Sequence, residues 1–212
     1  FDFPSNSYSA DVVLDGYLTD EKWTASDTVQ LGSWDNSDIE SGVYGAIVAD
    51  TNNYADSKRA IIKMFRGNVG LHFGFEVKDS DVAYKELADG DPAIWTDNVL
   101  INLCTSIDGG VIPMSDDYYF IVTAFGNNCF RRGANAAGMW GAWSGVIDYE
   151  SAIHYAEDGE TVVGFGVELV IPYEQIGITA ESPVGVTFRS CDRISANNSM
   201  LEREWWFNDS VH

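Results

Sequence analysis

From about Ala60 to the C-terminus, apolar side chains recur at every second position, and the runs are broken by clusters of Gly, Asn, Asp and Ser. A chain with this period alternates its side chains between two faces, so it builds sheets with one buried side rather than helices. The pattern predicts an all-β chain arranged as a β-sandwich. Its clearest unit is a hairpin: Ala60 to Arg66, the connection Gly67-Asn68, then Val69 to Val77. A Gly-Asn connection can take the positive φ angles that tight hairpins demand. In the second arm Leu71, Phe73 and Phe75 share one face, and His72, Gly74 and Glu76 the other.

Further strands are expected at Asp97 to Cys104, Tyr118 to Phe125, Ser151 to Tyr155, Thr161 to Ile171, Val184 to Ser190 and Arg203 to Asn208. Helix signals are confined to one or two short segments. Thr19 to Ala25 reads as a helix with Thr19 as N-cap and Asp20 and Glu21 near its positive end. Pro172 to Ile176 reads as a turn with proline in the first helical position. No internal repeat, proline-rich linker or shift in composition divides the chain, so residues 1–212 are expected to form a single domain. The connections Lys78 to Ile94 and Thr105 to Asp117 are longer than simple turns, and long loops on a rigid sheet are where binding concentrates.

Charge removes whole classes of partner. With 33 Asp and Glu against 12 Lys and Arg, the net charge is −21. Such a field repels the phosphates of nucleic acid and the headgroups of anionic membranes, so neither is an expected partner. No stretch approaches the roughly 18 consecutive apolar residues of a membrane-spanning helix. Phe1 to Ser9 show no basic segment followed by an apolar one, so a signal peptide has either been removed or never existed. The three cysteines, Cys104, Cys129 and Cys191, allow one disulfide at most; they serve equally well as small buried hydrophobes.

Several segments, taken in order, carry a resemblance that spans most of the chain. Leu14-Asp15-Gly16 followed by Leu18, Glu21 and Trp23 is one, and Val69 to Val77 running into Lys78-Asp79-Ser80-Asp81 is another. Trp95-Thr96-Asp97-Asn98-Val99-Leu100-Ile101 is a third. Val167-Glu168-Leu169-Val170-Ile171-Pro172-Tyr173, with Ile176-Gly177-Ile178 and Gly185, is the fourth. Together they resemble the family 9 carbohydrate-binding modules and their relatives, secreted domains appended to polysaccharide-degrading enzymes.

The resemblance implies a jelly-roll-like sandwich, no catalytic activity, structural calcium, and a sugar held between aromatic rings. By position Trp95 matches the first ring and Trp205 or Trp206 the second. It also implies a secreted or extracellular location, or attachment at a cell surface, and companion glycoside hydrolase domains of the kind that degrade plant cell walls. Two departures stand out. Leu100 occupies a position where the family often has an acidic residue, and the basic residue expected near Tyr118 to Val122 is missing.

A sugar ring has a C–H face and a hydroxyl rim, so its binder needs a flat aromatic surface surrounded by planar hydrogen-bonding groups. Of the seven tryptophans, Trp23 is expected in the core beside Leu18, and Trp34 either exposed or packed at an edge. Trp140 and Trp143 stand in a glycine-rich segment that offers little to pack around them, so at least one should be exposed. Trp205 and Trp206 are adjacent in a strand and must lie on opposite faces. If Val99, Ile101 and Leu103 enter the core, then Asn98, Leu100 and Asn102 face outward. There the two asparagines suit sugar hydroxyls or simply solvate a sheet. Arg189, Asp192 and Arg193 could hydrogen-bond adjacent hydroxyls or pair with one another.

Acidic and amide-rich loops at Asp50 to Asp56, Asp79 to Asp97 and Asp108 to Asp117 could supply the six to eight oxygens calcium takes, or could be plain solvated loops. Asp79, Asp81 and Asp97 are the candidate ligands. The ligand expected is a neutral polysaccharide of the β-1,4-glucan, xylan or mannan type, because the acidic chain repels uronic-acid polymers. The alternative is a haem-binding electron-transfer domain of the related extracellular cytochrome type, with Met64 and His72, or His154, as axial ligands. No Gly-x-Ser-x-Gly, His-Glu-x-x-His or phosphate loop suggests an enzyme.

Overall fold

The structure, a computed structural model, describes residues 12–24, 26–30, 60–80, 82, 96–106, 113–126, 129–192 and 202–206. Eleven strands are seen among them: β1 Asp27–Gln30, β2 Ala60–Arg66, β3 Gly70–Lys78, β4 Asn98–Cys104, β5 Asp117–Thr123, β6 Cys129–Ala134, β7 Trp140–Ala142, β8 Asp148–Tyr155, β9 Val162–Pro172, β10 Gly185–Asp192 and β11 Glu202–Trp206. They form two antiparallel sheets, of order β1-β2-β3-β9-β8 and β11-β10-β4-β5-β6-β7. One short helix, α1 Glu21–Thr24, and a 3-10 turn at Tyr173–Gln175 complete the secondary structure of the described residues. The molecule is the expected all-β sandwich.

The sequence alternation translates directly into the core. Ile62, Leu71, Phe73, Phe75, Phe165, Val167 and Leu169 of the first sheet meet Val99, Ile101, Leu103, Phe120 and Phe188 of the second. Phe188 locks the layers together, edge-on to Phe73 and to Phe75 with both ring centroids 5.8 Å away. Burial of one such ring contributes roughly 2 to 3 kcal/mol. The β2–β3 hairpin connects through residues 67–69 without positive φ at Gly67 or Asn68. Tyr173 holds that connection instead: its backbone N–H donates to Val69 O at 3.0 Å and its hydroxyl to Gly67 O at 3.0 Å.

The N-terminal segment covers the outer face of the five-stranded sheet. Val12, Leu18 and Trp23 form a small apolar cluster there with Leu14 and Phe65. Trp23 is 1% exposed, as expected of a core residue. The helix is shorter than the sequence predicts. It starts at Glu21, and Asp20 accepts the Val13 N–H at 2.9 Å, which ties it back to the preceding turn. Strands β1, β6 and β7 were not expected from the sequence, and β8 begins three residues earlier than Ser151.

Candidate binding face

The outer face of the six-stranded sheet carries Asn102, Trp140 and Arg189 among the candidate residues. Val99, Ile101 and Leu103 enter the core, so β4 turns Asn98, Leu100 and Asn102 outward, as the alternation requires. Leu100 and Ile121 form an apolar floor on this outer face with Tyr119 packed beside them. Register then lays out two rows across the sheet. One runs Trp205, Arg189, Leu100, Ile121 and Phe130; the other runs Thr187, Asn102, Tyr119, Arg132 and Ala142.

The second row carries the usable chemistry. Asn102 Nδ2 donates to Thr187 Oγ1 at 2.9 Å, bridging β4 and β10. That bond leaves the Asn102 carbonyl as an acceptor and the Thr187 hydroxyl proton as a donor, side by side. One strand over, Tyr119 meets Trp140 edge-to-face with centroids 4.8 Å apart, and Trp140 is 37% exposed. An exposed indole, a phenol and a donor–acceptor pair therefore share one face.

Other candidates fall differently. Asn98 occupies the expected face but is fully buried, and its Nδ2 is committed to Thr96 O at 2.7 Å. It braces the loop entering β4 and presents nothing outward. Trp143 packs on the core side, edge-on to Tyr118 at 5.6 Å and to Phe120 at 5.4 Å. Glycine neighbours make room for it: a methyl group at Gly145 would overlap the indole. Of the two tryptophans in that segment only Trp140 belongs to the outer face. In backbone register position 205 pairs with Arg189 and position 206 with the core residue Phe188. Asp192 is the last residue of β10, three residues beyond Arg189. Trp34, Trp95 and Arg193 lie outside the described residues.

Sequence reasoning missed Tyr119 and Thr187. The signal for both was present, since outward positions on β5 and β10 follow from the same alternation that picked out Asn102. In backbone register Arg132 lies opposite Tyr119 on the next strand.

The acidic candidates are buried. Asp79 is 2% and Asp97 0% exposed, and both carboxylates are hard oxygen donors of the type calcium takes. Among the described residues, however, no three of His, Cys, Asp and Glu come together, and Asp81 lies outside the described residues. A calcium shell is thus compatible with these residues but is not assembled by them alone.

The haem reading fails on geometry. Met64 packs against the core, whereas His72 lies on the opposite face of the sheet, stacked on Phe65 with centroids 4.4 Å apart. Two groups on opposite faces cannot ligate one iron. His154 is engaged elsewhere, with Nε2 2.8 Å from Gly16 O.

A conspicuous polar site on the outer face of the five-stranded sheet proves structural. Glu168 of β9 accepts the N–H of Asp15 at 2.7 Å and of Gly16 at 2.6 Å on Oε2, and the Trp23 indole N–H at 2.6 Å on Oε1. Burial raises its pKa above the ordinary glutamate value, with Asp15 adding to the rise and the three hydrogen bonds opposing it. The segments Leu14 to Trp23 and Val167 to Tyr173, which the sequence reading singled out separately, are thus two halves of one clip.

No protein-family model matches the sequence, and no curated protein is significantly similar to it. Solved structures do share its fold. A family 9 carbohydrate-binding module from Caldicellulosiruptor kristjanssonii in complex with cellotriose superposes with a TM-score of 0.58 at 15% identity, covering 92% of this chain and 80% of that one. The same organism's family 9 module in complex with glucose gives 0.55 at 15% identity, over 92% and 80%. A Bacteroides uniformis protein proposed to bind carbohydrate gives 0.56 at 12% identity, over 86% and 78%.

Proposed function

We propose that this chain is a non-catalytic carbohydrate-binding module that recognises a neutral polysaccharide through the outer face of its six-stranded sheet. The observation that carries the reading is the half-open row in which Trp140 and Tyr119 adjoin the Asn102–Thr187 pair. The rings cover the C–H side of a pyranose, and the amide carbonyl and hydroxyl meet its rim. The fold shared with modules solved in complex with cellotriose and glucose supports the same assignment. Leu100 and Ile121 in the neighbouring row add no charge, and the net charge of −21 repels uronic-acid polymers, which favours β-1,4-glucan, xylan or mannan.

In this reading the chain is a secreted or extracellular accessory module, and companion glycoside hydrolase domains act on the polymer it holds. Calcium is its structural ion, with Asp79 and Asp97 contributing buried carboxylates and Asp81 joining them. Isothermal titration with cellotriose, xylotriose and mannotriose, with and without calcium, tests the proposal: heat of binding that Trp140→Ala reduces is expected, and no binding to any of the three refutes it. Chelation should lower the melting temperature, and an unchanged melt removes calcium from the account.

A further inference from the structure

We propose that the exposed ring of Tyr17 forms a second saccharide contact, on the sheet opposite the first. The proposal rests on the carbohydrate-binding reading and extends it to a surface nothing above assigns.

Tyr17 is 51% exposed, yet its ring is held. One face lies on the His154 imidazole, with centroids 5.0 Å apart and planes within 13°. The backbone on both sides is fixed as well. Gly16 has φ 79°, and Leu18, at φ 52°, is the only non-glycine residue with positive φ among the described residues. A side chain in that region costs on the order of 1 kcal/mol, and such strain persists only where the surroundings over-determine it. Here they do. Leu18 is buried over Gly74, Asp15 Oδ1 accepts the Tyr17 N–H at 2.8 Å, and His154 Nε2 donates to Gly16 O at 2.8 Å. The turn that hides Leu18 and Trp23 therefore presents Tyr17 outward as an immobile ledge.

A ring with one face packed and the other in water loses little side-chain entropy when a pyranose lies on it. Groups for the hydroxyl rim stand on the same outer face. His154 pairs in register with Gly164, which pairs with Lys78, and Glu76 lies two residues along on β3. Two interstrand spacings separate β8 from β3, about 10 Å, within the span of a short oligosaccharide. Exposed Lys78 offers donors, and Gly164 places no side chain between it and the ring; half-buried Glu76 stands beyond Gly166, which the Gly16 carbonyl covers. Because the two faces lie on opposite sides of the sandwich, one molecule would hold two segments of glycan.

Titration of 13C- and 15N-labelled protein with cellotriose, xylotriose and mannotriose separates the possibilities. The Tyr17 and His154 ring signals report on this contact, and the Asn102 side-chain amide and Trp140 indole report on the other. We expect both sets to shift, with Tyr17→Ala weakening the response at His154 about fivefold and leaving Asn102 and Trp140 unchanged, and Tyr17→Phe retaining it. Shifts at Tyr17 and His154 alone also support the second contact. Shifts confined to Asn102 and Trp140 with all three sugars overturn it and leave the first face standing. Silence at both faces overturns the carbohydrate reading itself. The wild-type titration decides even if Tyr17→Ala melts early.

Discussion

The carbonyl of Gly16 sits where a side chain on Gly166 would begin. A methyl group added at Gly166 would overlap that oxygen, and one added at Gly16 would overlap the backbone of Ala152. The N-terminal turn and strand β9 are thus in backbone contact, and only glycine at both positions permits it. Gly166→Ala should force the turn off the sheet and destabilise the fold by about 1 to 3 kcal/mol, the usual range for overpacking. Urea denaturation followed by tryptophan fluorescence measures it, and an unchanged midpoint would mean that the turn relaxes freely.

Glu168 holds the same turn by accepting three N–H donors. In Glu168→Gln one carboxylate oxygen becomes an NH2 that faces donors, so either the Asp15–Gly16 pair or the Trp23 indole loses its acceptor. The cost expected is about 1 to 3 kcal/mol. The variant should also change the pH dependence. Because burial raises the folded pKa of Glu168, the native state holds its proton at pH values where the unfolded chain has released it. Stability from this group is therefore present below the ordinary glutamate range, falls as pH rises through the raised folded pKa, and is flat above it. The wild type minus variant difference in unfolding free energy should decline with rising pH across that window, and a difference that rises instead contradicts the assignment.

Asp158 shifts the other way. In the β8–β9 turn its carboxylate accepts the Thr161 hydroxyl at 2.5 Å and the N–H groups of Thr161 at 2.8 Å and Glu160 at 3.0 Å, which lowers its pKa to about 2. The stability it contributes is present above the ordinary aspartate pKa and lost as pH falls through about 2. Carboxyl-detected NMR titration should find this value in the wild type. Thr161→Val should raise it, because the hydroxyl is the largest cause, while the backbone donors keep it below the ordinary aspartate value.

How much of this was legible depends on the range of each interaction. Strands β3 and β4 could be read from Leu71, Phe73 and Phe75, and from Val99, Ile101 and Leu103, because an inner strand must bury every second residue. Edge strands carry weaker constraints: Arg131, Arg132 and Gly133 interrupt the alternation of β6, and β7 has only three residues. Glu168 looked like a polar interruption in an apolar run. Its partner Gly16 is 152 residues away, and no local pattern joins a carboxylate to the turn that will cap it. On the binding face Asn102 followed from alternation, whereas the burial of Asn98 depends on how the chain enters β4, which composition does not encode.

Trp140 and Trp143 show the same limit and give the sharpest test of the site. In sequence both stand among glycines, three residues apart, and nothing local distinguishes them. In the fold Trp140 lies at an outward position of β7 against Tyr119, while Trp143, just past the end of that strand, turns back onto Tyr118 and Phe120. Truncating each to alanine should therefore have opposite signatures. Trp140→Ala removes a half-wet ring, so the melting temperature should hold while affinity for cellotriose falls by about 1 kcal/mol or more. Trp143→Ala leaves a hole beside Phe120, which should cost roughly 2 to 4 kcal/mol of stability and leave the intrinsic affinity of the folded fraction intact. Calorimetric binding and thermal unfolding on the two variants separate these outcomes. Equal loss of affinity in both, with stability retained, would mean that the ring facing the sugar is not the one the sheet register selects.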